Sequence, residues 1–113
     1  VLDADAAALE RCAFELESLR ADYLTWLVDV SDSRQVDEAY DEIVDHFGRL
    51  DVAFNNAGTI TSAQVINEMS EDVWDRVVDV NLKGVWLCMR AQVRHEAGEY
   101  DARSGEREQG RRR

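Results

Sequence analysis

Between residues 6 and 20 the apolar positions fall three and four apart: Leu9, Cys12, Ala13, Leu16 and Leu19. That spacing marks one face of a helix. Asp5 stands where an N-cap carboxylate would hold the first free amides. Ahead of it, Val1 and Leu2 read as the last residues of a strand. Residues 24–30, "LTWLVDV", are apolar on both faces, as in a strand buried within a parallel sheet. "SDS" at 31–33 offers caps for a second helix. Its stripe is Val36, Ala39, Tyr40, Ile43, Val44 and Phe47, and Gly48 follows as a stop. "DVAFNN" predicts another short strand, and residues 59–69 a loop.

Ser70 caps a third helix predicted over 71–94, with Glu71 and Asp72 suited to the dipole of its first turn. Trp74, Val77, Val78, Leu82, Val85, Trp86 and Met89 make it apolar around much of its circumference. Such a helix is buried or packed on another subunit. After Gly98 the pattern collapses, and "GEYDARSGEREQGRRR" predicts a disordered tail. The order helix, strand, helix, strand, long helix predicts an α/β fold with a parallel sheet. Residues 1–97 would form it and 98–113 would trail from it.

Length changes the picture little: 113 residues set a ceiling of one domain, and a partial domain fits as well. Charge says more. A formal net charge of -11 argues against nucleic acid or an anionic membrane as partner. No apolar run approaches the roughly 18 residues of a membrane span, and the N-terminus lacks the pattern of a secretion signal. Cys12 and Cys88 sit in helical patterns, which points to free buried thiols in a reducing cytoplasm. His46 and His95 are isolated, so no metal site is expected.

Ligands of open parallel sheets sit beyond the carboxyl ends of the strands. Three stretches fall there. Asp3 would accept both hydroxyl hydrogens of an adenosine ribose and repel a 2'-phosphate, favouring NAD; alternatively it is a turn aspartate. Asp29 and Val30 would grip the edge and face of a purine; alternatively Asp29 caps the "SDS" turn. In Asn55-Asn56-Ala57-Gly58, the Asn55 amide can tie neighbouring strands together, and the small residues let main chain approach a flat ligand. A fourth residue, Asn81, is out of place in a helix. On the apolar face its amide needs partners, either structural ones or a water it holds.

Together "LDADAAALE", "DVSD", "NNAG" and "MSEDVWDRVVDVNLKGVW" resemble the short-chain dehydrogenase/reductase family, in its order and spacing, over residues 1 to about 95. The resemblance implies a partial Rossmann fragment, a piece of a doubly wound parallel sheet. It implies hydride transfer between NAD and a small alcohol or ketone. Asp3 then looks like the ribose-binding acid, Asp29 and Val30 like the adenine contact, and Asn55, Asn56, Ala57 and Gly58 like the cofactor-lining corner. Asn81 looks like the asparagine that positions a water in a proton relay. The long helix 71–94 looks like the family's dimerising helix.

The family's glycine-rich turn and its Tyr-x-x-x-Lys pair have no counterpart here. Lys83 is the only lysine, and Tyr23, Tyr40 and Tyr100 have none four residues on. The chain is therefore expected to be an internal fragment without activity of its own, with weak or no NAD binding. A truncated, non-catalytic paralogue that pairs with a full-length dehydrogenase is the alternative. Strand order 3-2-1-4 would leave unpaired edges and a marginal fold.

Overall fold

The computed structural model describes residues 1–62 and 65–95. The expected tail, 98–113, lies outside them. The elements follow in order: β1 (Leu2–Asp3), α1 (Ala6–Ser18), β2 (Trp26–Leu27), α2 (Ser33–Phe47), α3 (Glu71–Val78) and a π-helical turn (Asp79–Lys83) that runs on into α4, residues 84–95. The fold is α/β with a small parallel sheet, in which Leu2 pairs with Trp26 and Asp3 with Leu27.

The caps fall where side-chain chemistry places them. Asp5 accepts from the amides of Ala7 (2.9 Å) and Ala8 (3.2 Å), satisfying donors that the helix leaves free. Asp32, the middle residue of "SDS", does the same for Arg34 and Gln35. Gly48 closes α2 at φ 73°, a left-handed conformation that glycine adopts without strain, and its N–H returns to the Val44 carbonyl.

The core lies between the end of β2, α2 and the π-turn–α4 segment. Val28, Val36, Ala39, Leu87 and Ala91 are nearly sealed from solvent. Side chains staple α2 to α4: Arg90 and Arg94 reach Asp37 at 3.2 and 3.4 Å, and His95 reaches Asp41 at 3.2 Å. These partly exposed pairs set geometry more than stability. Cys88 is buried and Cys12 half-buried, and both thiols are free. Leu9 of α1 is buried apart from this cluster.

Four expectations need correction. The strand read over residues 24–30 shortens to two residues in the ladder. "DVAFNN" forms no strand at all, because a strand exists only beside a partner and no described main chain pairs with residues 52–58. The long helix is not uniform: the π-turn inserts one residue's worth of chain at Asn81. Leu19, expected on the buried stripe of α1, lies past the helix end and is exposed.

Candidate functional site

A cavity of about 800 Å³ opens between the β1–β2 side and residues 52–59. Asp3 and Asp29 stand at one bank, at or just past the ends of the strands. Asn55 to Gly58 form the other bank, and Arg76 and Gly84 close it from α3 and α4. All seven residues expected to bind cofactor line this one space.

Asp3 uses Oδ1 to accept from the Asp5 amide at 2.9 Å. Its Oδ2 has no partner among the described residues, so one carboxylate oxygen remains available at the mouth. Asp29 is more committed. Its Oδ1 accepts from the Ser31 hydroxyl (2.6 Å) and amide (3.0 Å), and Oδ2 accepts from Arg76 Nη1 at 2.9 Å. The Ser31 hydroxyl contributes most to holding this carboxyl down at about 2; the Ser31 amide and the Arg76 guanidinium add to it, against partial desolvation. The turn-capping reading of Asp29 is thus what its hydrogen bonds display, with Arg76 tying α3 to the strand end. Val30 buries its side chain in the core, with Cγ2 against Gly84, while also lining the cavity.

Asn55 was expected to tie neighbouring strands. Instead its amide pairs with Gln92 of α4: Gln92 Nε2 donates to Asn55 Oδ1 at 2.8 Å, and Asn55 Nδ2 donates to Gln92 Oε1 at 3.3 Å. Gln92 Nε2 also donates to the Tyr40 hydroxyl at 2.6 Å. Burial pushes the Tyr40 phenol up, with the Gln92 bond opposing, and burial likewise pushes the Cys88 thiol up. Sequence reasoning missed Gln92. Its signal was an amide on the apolar face of the long helix, the same anomaly that singled out Asn81.

Asn81 is exposed, not buried on the apolar face. Its Oδ1 accepts from the Thr59 N–H at 2.7 Å, and its Nδ2 donates to the Thr59 carbonyl at 2.8 Å. The side chain thereby mimics a strand partner for the corner. The π-turn carries Asn81 at its centre, and a Cβ on Gly58 would lie 3.4 Å from Asn81 Oδ1. What lies against the bare backbone of the corner is therefore, in part, this amide. Asn56 and Ala57 stay exposed.

The sequence profile described as short chain dehydrogenase matches residues 1–106. The chain belongs to the short-chain dehydrogenase family. It is 45% identical over 78 residues to the short-chain dehydrogenase/reductase ABA4 of Pyricularia oryzae, covering 66% of this chain and 29% of that protein. Among solved structures it resembles NAD⁺-bound xylitol dehydrogenase at 26% identity and a TM-score of 0.82, over 87% of this chain and 38% of that one. It also resembles NADP-bound ElxO at 29% identity and a TM-score of 0.73, over 83% and 38%. This family member thus spans about a third of the length of the dehydrogenases it matches. Of these two solved structures, the first holds NAD⁺ and the second NADP.

Proposed function

We propose that the cavity mouth is one wall of a nicotinamide-cofactor site, in an oxidoreductase acting on a small alcohol or ketone. One observation carries this reading: Asp3, Asp29 and the Asn55–Gly58 corner, drawn from three separate segments, converge on a single space at the strand ends. The unpartnered Oδ2 of Asp3 fits a ribose hydroxyl. The same charge would repel a 2'-phosphate, so NAD is favoured over NADP. Exposed main chain at Ala57 and Gly58 fits a flat ring lying close.

A bound nicotinamide supplies the hydride acceptor or donor. This chain's own residues bind and orient. Asp3 and the corner make contact; Arg76 and Ser31 hold Asp29 ionised; Gln92 fixes Asn55. Asn81 acts as a positioning residue, since its amide is spent on Thr59, and it would set the corner against which a relay water sits.

Turnover is a separate matter. A phenol used as a general acid or base works best with its pKa near the working pH. Burial moves the Tyr40 phenol the other way, and the one lysine, Lys83, pairs with Asp79 at 3.4 Å. We therefore assign the 113 residues binding geometry and no catalysis of their own. Calorimetry should find weak NAD⁺ binding and weaker NADP⁺ binding, while NADH absorbance stays flat with a panel of ketones. Equal or tighter NADP⁺ binding would overturn the role of Asp3, and steady NADH oxidation would overturn the absence of catalysis.

A second, non-catalytic reading is favoured by the outer face of α3 and α4. Trp74, Leu82, Trp86, Met89 and Val93 are all exposed there. That stripe fits a helix that pairs with a second copy or with a full-length dehydrogenase. Size-exclusion chromatography with and without such a homologue separates the two readings.

A further inference from the structure

The fold uses Arg76 only in part. It stands on α3, 47 residues from Asp29, and lines the cavity with its side chain half-exposed. Only Nη1 is engaged: it donates to Asp29 Oδ2 at 2.9 Å and lies 3.5 Å from the Ser31 hydroxyl. A guanidinium carries five N–H donors in one rigid plane. Those on Nη2 and Nε have no partner among the described residues.

Asp29 is incomplete in the complementary sense. Each carboxylate oxygen can accept two hydrogen bonds. Oδ1 receives both of its own from Ser31, the hydroxyl at 2.6 Å and the amide at 3.0 Å. Oδ2 receives one, from Arg76. One acceptor position therefore remains beside the free donors of the same ion pair. Both residues border the cavity at the end of β2. Ser31 holds the carboxylate, and the carboxylate holds the guanidinium, so the two groups are oriented before any base arrives.

An acceptor beside a donor complements one kind of purine and not the other. Adenine shows the N6–H₂ donor next to the N7 acceptor, whereas a 6-oxopurine shows two acceptors there, O6 and N7. Against a 6-oxopurine, Asp29 Oδ2 would meet O6 with no proton between them, and that mismatch rejects the base. Arg76 without Asp29 would choose the opposite way, since a guanidinium can donate to O6 and N7 together. The carboxylate thus decides which purine is taken, and the guanidinium supplies the second contact.

We propose that Arg76 is a base-reading residue: paired with Asp29 it selects adenine over a 6-oxopurine, Arg76 donating to N7 while Asp29 accepts from the 6-amino group. The proposal rests on the cofactor reading above and adds to it a side chain from α3 and the edge of the base that is read.

The test is an amide-shift titration of the full 113-residue chain with three dinucleotides: NAD⁺, nicotinamide hypoxanthine dinucleotide and the 7-deazaadenine counterpart of NAD⁺. NAD⁺ should bind at least about tenfold more tightly than the hypoxanthine form. Loss of N7 should weaken binding by about tenfold. In Arg76→Met the penalty for losing N7 should vanish while the preference over hypoxanthine remains; an Arg76 that only holds Asp29 would leave that penalty unchanged. Asp29→Ala should invert the preference, so that the hypoxanthine form binds more tightly than NAD⁺. The comparison of the three ligands on the unsubstituted chain stands whether or not either variant folds. Equal affinity there for NAD⁺ and its 7-deaza counterpart, or for NAD⁺ and the hypoxanthine form, with the Asn55–Gly58 amides shifting in each case, would overturn the base-reading role and leave the cofactor reading intact. No shift at those amides with any of the three would overturn both.

Discussion

Gly84 opens α4 directly behind Val30, and replacing it with alanine tests how closely the helix and the strand end are packed. Its φ and ψ of -58° and -44° are ordinary helical values, so backbone conformation does not demand glycine. Space does. A Cβ there would lie 2.7 Å from Val30 Cγ2 and 3.3 Å from both the Cβ and the carbonyl oxygen of Val30. Carbon atoms pack best at about 3.5–4.0 Å, so the overlap with Cγ2 is near 1 Å. Val30 is β-branched and rotates reluctantly, and it is buried in the core. Overpacking of this kind costs about 1–3 kcal/mol. Alanine returns about 1 kcal/mol through helix propensity. Gly84→Ala should therefore destabilise the chain by about 1 kcal/mol net. With Val30→Ala already in place the clashing methyl is gone while the 3.3 Å contacts to its Cβ and carbonyl oxygen remain, so Gly84→Ala should then be close to neutral, a coupling of about 1 kcal/mol. Urea unfolding followed by far-UV circular dichroism reads both backgrounds, with equal m-values as the control. The same effect of Gly84→Ala in both would refute the contact.

Other outcomes follow from the site. The Asp29 carboxyl should titrate by NMR with a midpoint of about 2, and Ser31→Ala and Arg76→Ala should each raise that midpoint. Because the folded value is depressed, Asp29 stabilises the fold fully above about pH 4, and that contribution is lost as pH falls from about 4 through about 2. At its partial exposure, solvent screening reduces it to about 1 kcal/mol. Asn81→Ala removes both bonds to Thr59 and should cost about 1–2 kcal/mol, with Thr59 exchanging its amide faster by hydrogen-exchange NMR. Cys12 should react with a thiol reagent well before Cys88, whose thiol is buried and pushed up; equal rates would contradict that burial.

How much the sequence disclosed depends on which force fixes each element. Helix α2 was legible almost to the residue, because its stripe, Asp32 and Gly48 all act locally. The end of β1 and the core of β2 were legible because each is the other's partner. "DVAFNN" misled for the opposite reason: β propensity describes fitness for a neighbour, and no described main chain lies beside it. At the site, the gathering of Asp3, Asp29 and the Asn55–Gly58 corner was readable from motif order. The partners were not. Arg76 on Asp29, Gln92 on Asn55 and Thr59 on Asn81 are separated by 47, 37 and 22 residues, and local pattern carries no trace of such contacts. The π-turn at Asn81 was hidden for a related reason, since an extra residue inside a helix barely disturbs an apolar stripe this broad.

The central claim is that the small-residue corner and the two strand-end aspartates form one cofactor wall, and amide chemical-shift mapping of the full chain during NAD⁺ titration tests it most directly. Concerted shifts at Asp3, Asp29–Val30 and Asn55–Gly58, smaller with NADP⁺ and lost in Asp3→Ala, are the predicted result. Shifts confined to the outer face of α3 and α4, or identical for both cofactors, would contradict it.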